Sequence, residues 1–561
     1  MIWRIRPIAL LALLVLGTLS SSFYIQPVRA IGTIYIRADG SIDPPTAPMQ
    51  REGDVYTLTG NIFSYPDGIV IERDNTVVDG AGFALQGVTS GTGIVLSGTT
   101  NVTVKNVQIQ LFQKGIYLGY SSNGTIYENN VTGNRVGIEL YHSTNVTIES
   151  NVITYNNDGV HIGYSSFNTL SGNIFAGNAN SLEIWAGQLQ DYMHSIDTSN
   201  LVNGKPVYYL MNQKDLVIDP ATYPQIGYLA LINSTNVKVE GLTLTNSDVG
   251  LLLVNTNNSE VTNNSMINNG QGIELEYSNN NTLSGNSITA NTNDGIILWN
   301  RSSNNTIYEN SVTNNGYGGI GLGWYSDNSV ICGNNITGNS ETGIYALVSC
   351  ENNTISRNRI VDNNGNGIWL DTDSPICNIV SGNRVANNSM AGILIEVSGV
   401  DNHRIFDNYI INNDIGIRVF VLYGRLNLTT YHNNFMNNTV QVNNESNYTN
   451  FLDNGCEGNF WNNYNGTDLD NDGVGDTLLP WEGVDNCPLM NVHWNPCDIN
   501  HDLKVDMKDI GKSAKAFGTV PGDGLWNPHA DITGPLPLVS DGKVDMRDIS
   551  LVARHFGEHH P

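Results

Sequence analysis

Carboxylates gather at three places in this chain, each with a spacing that chemistry could use. The densest is Asp468-Leu469-Asp470-Asn471-Asp472-Gly473-Val474-Gly475-Asp476. Alternate carboxylates on a tight loop, a Gly where the backbone turns sharply and the Val474 carbonyl make the oxygen shell that a hard cation such as Ca2+ requires. Without an ion, Asp468, Asp470, Asp472 and Asp476 would repel one another. The second place is the C-terminus, where Lys504-Val505-Asp506-Met507-Lys508-Asp509-Ile510 returns as Lys543-Val544-Asp545-Met546-Arg547-Asp548-Ile549, each copy running on to a Phe-Gly. In the first copy Asp498, Asn500, Asp502 and Asp509 take positions 1, 3, 5 and 12 of an EF-hand-like loop, with the Lys504 carbonyl at position 7. Leu503 stands at position 6, where a turn of this kind favours Gly. In the second copy Asp531 and Thr533 serve positions 1 and 3, and Asp541, the Lys543 carbonyl and Asp548 follow only after residues 534–540. That site requires an excursion that leaves its ligands adjacent.

The third place is a stripe. On the strand after each of a series of recurring glycines, outward positions align Tyr117, Glu139, His161 and Glu183 on successive coils, with Tyr141 and Trp185 two residues further along. Acids and an imidazole beside aromatic faces suit sugar binding and glycoside or uronate chemistry: Glu139, His161 and Glu183 would move protons, while Tyr117, Tyr141 and Trp185 would stack on sugar rings. No Arg or Lys shares the stripe, which counts against a lyase, and the competing reading is an ordinary solvated face. Glu274, Glu276 and Trp299 form a second cluster of the same kind.

The elements that must position these groups are set by the glycines. A Gly-Ile/Val step recurs every 22 to 25 residues, at Gly93, Gly115, Gly137 and Gly159, then from Gly272 through Gly295, Gly319, Gly343, Gly367 and Gly392 to Gly416. This is too short for helical-pair repeats and fits one circuit of a β-solenoid, whose coils stack at about 4.8 Å. Three apolar columns keep step: Leu283, Ile307, Ile331, Ile355, Val380 and Ile405; Ile288, Val312, Ile336, Ile360, Val385 and Ile410; Ile296, Ile320, Ile344, Ile368, Ile393 and Ile417. Stacked, they would fill a narrow bore enclosed by three short parallel sheets. Asn286, Asn310, Asn334, Asn358 and Asn383 form a further column, expected at a tight turn where Asn tolerates left-handed backbone and stacked amides bond up the ladder.

Residues 1–30 have the layout of a secretory signal: Arg4 and Arg6, an apolar run from Ile8 to Leu19, then Val28-Arg29-Ala30 with cleavage after Ala30. Residues 31–92 are expected to cap the bore, with Val55–Leu58 and Ile69–Glu72 as first strands. Residues 93–490 form the solenoid, interrupted at 185–227 by an aromatic segment, Asn203 to Leu210, expected to project and pack on a side wall. Residues 491–561 form a C-terminal module. No stretch after the signal is apolar enough for a bilayer span. The net charge of -27 disfavours a nucleic-acid partner. Six cysteines without metal-site spacing, and dense Asn-x-Ser/Thr sequons such as Asn101, Asn123 and Asn145, fit a secreted or cell-surface glycoprotein in an oxidising compartment.

The repeat, its interruption and the phrase Ile34-Tyr35-Ile36-Arg37-Ala38-Asp39-Gly40 resemble the right-handed parallel β-helix region of the NosD-like family, over about residues 34 to 490. Related repeats occur in carbohydrate-binding proteins and sugar hydrolases. The resemblance is specific for fold: an all-β solenoid, a right-handed parallel β-helix with three short parallel sheets. The copper role that names the family is not expected here, because soft ligands would need a cluster of His, Met or Cys, and the His and Met residues are scattered along the sequence. The C-terminal duplication resembles a type I dockerin over about 498 to 558. That resemblance implies a small α-helical calcium-loop domain that binds a cohesin-like partner through the residues before the last ligand of each loop, here Met507-Lys508 and Met546-Arg547. The expected function is a secreted, calcium-binding β-helix that binds or displays polysaccharide and docks through this module. The alternatives are a polysaccharide lyase or glycoside hydrolase acting on acidic glycans, and a non-catalytic structural surface protein.

Overall fold

The structure, a computed structural model, describes residues 32–372, 377–397, 400–421, 425–426, 428–445, 452–455, 457–493, 497, 499, 505–527, 530–532 and 542–555. The signal segment and Asp498, Asn500, Asp502, Lys504, Thr533 and Asp541 therefore lie outside the described residues. Parallel β-solenoid turns, right-handed and about 16 in number, make up most of the chain. They fall into two compact units that divide in sequence between Ser195 and Ile196.

In the first unit each turn gives one strand to each of three parallel sheets, and from Thr92 onward a step of 22 residues carries a position onto its equivalent in the next turn. Thr92–Ser97, Lys114–Gly119, Val136–Tyr141, Asp158–Gly163 and Asn180–Trp185 follow one another in one sheet. Ile116, Ile138, Val160 and Leu182 lie in register on these strands, fully buried. The cap segment is itself built as turns: Ile34–Ile36 pairs parallel with Ile69–Ile71, which pairs with Thr92–Ser97. An antiparallel hairpin, Met49–Glu52 with Val55–Leu58, closes that end of the second sheet.

The second unit repeats the scheme with longer turns. All three apolar columns foreseen from the sequence are fully buried, and together they line one continuous bore. The recurring glycine sits where coils press together. A Cβ at Gly295 would lie 2.7 Å from the Gly319 carbonyl oxygen and against the Val312 side chain, so no larger residue fits without moving backbone. The 185–227 interruption does not project in this unit. Lys205–Met211 enters the stack as a strand parallel to Tyr228–Ile232, with Tyr208 and Leu210 packed against the bore in register with Leu229 and Leu231, and Val207 and Tyr209 buried on the other face.

The Asn ladder forms as expected. Asn286 Nδ2 donates to Asn310 Oδ1 at 2.9 Å, Asn310 to Asn334 at 3.0 Å and Asn334 to Asn358 at 2.9 Å, while each Oδ1 also accepts the backbone N–H of the preceding rung. The left-handed backbone, however, belongs to the residue before each ladder Asn: Gly285, Glu309, Gly333, Arg357, Gly382, Asp407 and His432. The ladder ends at Asp485, which accepts from Asn459 N–H at 2.9 Å and Trp461 Nε1 at 2.7 Å. Beside it Phe435, Trp461 and Trp481 stack at 4.2 Å centroid spacings, an aromatic plug for the bore. Burial pushes the Asp485 carboxyl up to about 6.

The C-terminal module contributes two nine-residue helices, Met507–Lys515 and Met546–Arg554, each opened by a capping box. They share a small core with Cys497, Ile499, Ala530 and Ile532. Among the described residues no helix is long and apolar enough to cross a membrane.

Candidate functional site

The stripe assembles in the first unit in the expected register. Tyr117 pairs with Glu139, Glu139 with His161 and His161 with Glu183 on four adjacent strands, and the next outward column runs Gly119, Tyr141, Gly163, Trp185. Lys114 corrects the expectation that no base shares the stripe. Its Nζ lies 2.8 Å from Glu139 Oε2 and 4.4 Å from the Tyr117 ring centroid. Strict alternation from Tyr117 would point residue 114 to the other face. The corner at Gly115 places two buried positions in succession, Gly115 and Ile116, and so swings Lys114 to the outer side. Glu139 is consequently no solvated acid: it is 8% exposed and ion-paired.

His161 Nε2 is buried without a hydrogen-bond partner. Burial raises the Glu183 carboxyl above its usual range; His161 works against the rise, and Asp158 and Glu139 add to it. Tyr117 is raised by burial and by Glu139. One face thus holds a paired acid, an acid that retains its proton more readily, an unpartnered imidazole nitrogen and an ammonium group.

The surface beside these groups is aromatic. Tyr120, His142 and Tyr164 follow the strands in left-handed conformation, at φ of 52°, 48° and 48°. Their rings stack at 5.0 and 5.2 Å, and Tyr141 packs edge-on against all three. Trp185, 61% exposed, lies 5.6 Å from Tyr164 and 6.4 Å from His161. In the second unit the same left-handed position is held by Asn212, Asn233, Asn255 and Asn300, the residue type this backbone prefers, but also by Tyr277 and Trp324. Aromatic residues in its place are not there for the backbone. Sequence reasoning missed Tyr120, His142 and Tyr164, although their spacing of 22 was available as a signal.

The second cluster is more closed. Glu274 and Glu276 stand two apart on the strand Gln271–Glu276, and Trp299 pairs in register with Glu276. Burial pushes Glu276 up to about 7 and Glu274 well above its ordinary value, with Glu276 and Asp248 adding to the latter. Asp294, raised to about 6 by burial, accepts a 2.9 Å bond from Tyr345 Oη. The Trp299 ring fills the space over Gly323, where a Cβ would collide with it.

The acidic loop brings carboxylate oxygens of Asp468, Asp470 and Asp476 within 4.8 Å of one another. Asp472 turns back to accept from Val474 N–H at 2.8 Å, and Asp468 accepts from Asn471 and Gly473 N–H. Asp470 is raised, chiefly by Asp472.

Of the C-terminal ligand set, Asp509, Asp531, Lys543 and Asp548 are described. Asp509 and Asp548 are buried and accept the N–H of their capping residues, Asp506 and Asp545, at 2.7 and 2.6 Å. Asp531 Oδ2 accepts from Gly542 N–H at 2.9 Å, which joins the described residues on either side of 533–541. Met507, Lys508, Met546 and Arg547 are all exposed at equivalent places on the two helices. The histidines are not all scattered: His432 and His493 meet beside Asp407.

Two family models match the chain. That of the right-handed β-helix region covers residues 49–192, and that described as the periplasmic copper-binding protein NosD covers 193–367 and 345–466. With the parallel solenoid, these matches define a NosD-like right-handed β-helix protein. Similar solved structures include the periplasmic alginate epimerase AlgG, at 12% identity and TM-score 0.30 with 71% of this chain and 84% of that one covered. The Azotobacter vinelandii mannuronan C-5 epimerase AlgE6 A-module matches at 14% identity and TM-score 0.21, covering 70% and 89%. The Dettilon tailspike protein matches at 16% and 0.24, covering 58% and 62%. No curated protein matches the chain.

Proposed function

We propose that this is a secreted or cell-surface β-helix that binds polysaccharide along the outer face of its first unit. The observation that supports it is the unbroken stack of Tyr120, His142 and Tyr164 on three successive coils at a left-handed position, beside Lys114, Glu139, His161 and Glu183. Rings stack on the apolar faces of sugars, and alternating acid and base groups take their hydroxyls and carboxylates. Lys114 favours acidic glycans. Binding of a panel of acidic and neutral polysaccharides to the full chain, measured by calorimetry and repeated with His161→Ala, tests this. Equal affinity in both proteins would overturn it.

A catalytic reading is favoured by one observation, the buried, unpartnered His161 Nε2 between two carboxylates. In a lyase or hydrolase on acidic glycans, His161 would take a proton, Glu183 would return one and Lys114 would neutralise a substrate carboxylate. Unsaturated products or new reducing ends from such a substrate would establish it.

The acidic loop at 468–476 and the C-terminal module supply Ca2+ binding and docking in this reading. Asp468, Asp470 and Asp476 hold one ion. Asp498, Asn500, Asp502, the Lys504 carbonyl and Asp509 hold a second, and Asp531, Thr533, Asp541, the Lys543 carbonyl and Asp548 a third. Met507, Lys508, Met546 and Arg547 then face a cohesin-like partner. Support comes from the exposure of those four residues and the approach of Asp531 to Gly542.

A further inference from the structure

One column of the second unit occupies the left-handed corner before the Asn ladder, and on its last coils that column carries Asp407 and His432. A left-handed residue there directs its side chain away from the bore, so these two stand one above the other on the outer face. After the aromatic plug the chain returns along this face. His493 N–H donates to Asn434 Oδ1 at 2.7 Å, and its carbonyl accepts from Asn434 Nδ2 at 2.8 Å and Tyr409 Oη at 2.9 Å. This three-point clamp sets a third side chain beside the first two.

Asp407 Oδ1 lies 3.7 Å from His432 Nδ1 and 3.3 Å from His493 Nε2, and the ligand atoms of all three fall within 4.8 Å of one another. Asp407 Oδ1 is buried and lacks a well-formed hydrogen bond. On the far side of the His432 ring, Nε2 is 2.7 Å from Glu457 Oε2. We propose that Asp407, His432 and His493 form a site for one divalent transition-metal ion of the Zn2+ class, with Glu457 orienting His432.

The donor set decides the class. Two imidazole nitrogens and one carboxylate oxygen are too rich in nitrogen for Ca2+ or Mg2+ and lack the thiolate or thioether that a soft monovalent ion prefers. An ion at about 2.0 to 2.2 Å from each donor would draw them to roughly 3 to 3.5 Å apart, close to the separations already present. The rings stack at 3.8 Å with 18° between planes, so binding would open the stack and turn the two nitrogens toward a common ion. A carboxylate holding the opposite nitrogen of a ligating imidazole is the usual support for such a ligand. Arg357, on the same column with Gly382 between, is the buried cation that Asp407 influences. His493 lies beyond the residues that either family model matches.

Calorimetric titration of the full chain with Zn2+, in excess Ca2+ so that oxygen-only loops are already filled, tests the site. Co2+ in place of Zn2+ provides a visible absorption band as a second readout. One Zn2+ per chain is expected, with at least a tenfold loss of affinity in His493→Gln and a 10 to 100-fold loss in Glu457→Gln. If circular dichroism shows His493→Gln misfolded, Asp407→Asn decides by the same tenfold criterion. No binding by the wild type, or binding unchanged in the variants, would overturn the assignment.

Discussion

At Tyr164 the backbone and the side chain ask for different residues. Its φ of 48° is one that Asn adopts readily and an aromatic residue does not. Tyr164→Asn should therefore leave the melting temperature unchanged or raise it, while weakening glycan binding at least tenfold through the lost ring. A variant that binds as tightly as wild type would return the aromatic wall to a purely structural role. His161→Ala removes a group whose Nε2 bonds to nothing, so binding should fall with little change in stability. Glu139→Gln differs, because it takes a charge from a buried ion pair and should cost about 1 to 3 kcal/mol in unfolding experiments as well as affinity. The functional test belongs on His161. Of this site, Glu139, His161 and Glu183 were legible in the sequence because one period separates them. Lys114 was hidden by the corner at Gly115, which breaks the alternation on which the reading of facing depended.

The coil is the next scale, and its stability is shared between the bore and the ladder. Ile336 is fully buried between Val312 and Ile360, and an aspartate there would have no partner or water, so Ile336→Asp should prevent folding. Asn334→Ala is subtler. It leaves the Asn310 N–H without its acceptor and the Ile307 carbonyl without its donor, at about 1 to 3 kcal/mol for each buried group left unpaired. Chemical denaturation should show a loss of about that size, and a loss below 0.5 kcal/mol would mean that the amide column carries little of the fold's stability. The C-terminal helices should respond to Ca2+, because the sequence before each supplies carboxylates that an ion would turn into ligands. Hydrogen exchange on the full chain should slow over 507–515 and 546–554 on adding Ca2+ and quicken with chelator. Indifference to both would remove the metal reading and the docking role built on it.

Across the molecule the carboxyls with raised pKa give a pH dependence that differs between the units. In the second unit Glu276 is held near 7, Asp294 and Asp485 near 6, and Glu274 well above its ordinary value. An acid whose folded pKa is raised contributes stability that is complete below its unfolded pKa, about 4, and lost as pH rises through the folded value. His403, lowered to about 4 by burial, acts the opposite way, losing its contribution as pH falls from about 6.5 toward 4. Four acids outweigh one histidine, so the second unit should gain stability on acidification from pH 7.5 to 5.5. In the first unit Glu183 is raised while His194 is lowered to about 4, and the two oppose each other. Segment-resolved hydrogen exchange across that range checks the difference, and Glu276→Gln with Asp294→Asn should flatten the response of the second unit. A response in that double variant equal to wild type would refute the assignment.

Solenoids write their tertiary contacts into sequence spacing, because a residue's neighbours lie one turn before and one turn after. The apolar columns, the Asn ladder and the register of Tyr117, Glu139, His161 and Glu183 could therefore be read from the chain alone. The same periodicity misassigned the left-handed corner by one residue, since spacing fixes which residues align but not which of them bears the turn. It also left Lys205–Met211 outside the stack, because that strand joins after a change of spacing and only its pairing with Tyr228–Ile232 shows it. The cluster of Asp407, His432 and His493 lay furthest from reach. Two of its members are one period apart, but the third arrives when the chain, having ended its turns, folds back along the outer face and is clamped by Asn434 and Tyr409. A contact made by a non-repeating return has no spacing to announce it, and only the folded chain could bring those donors together.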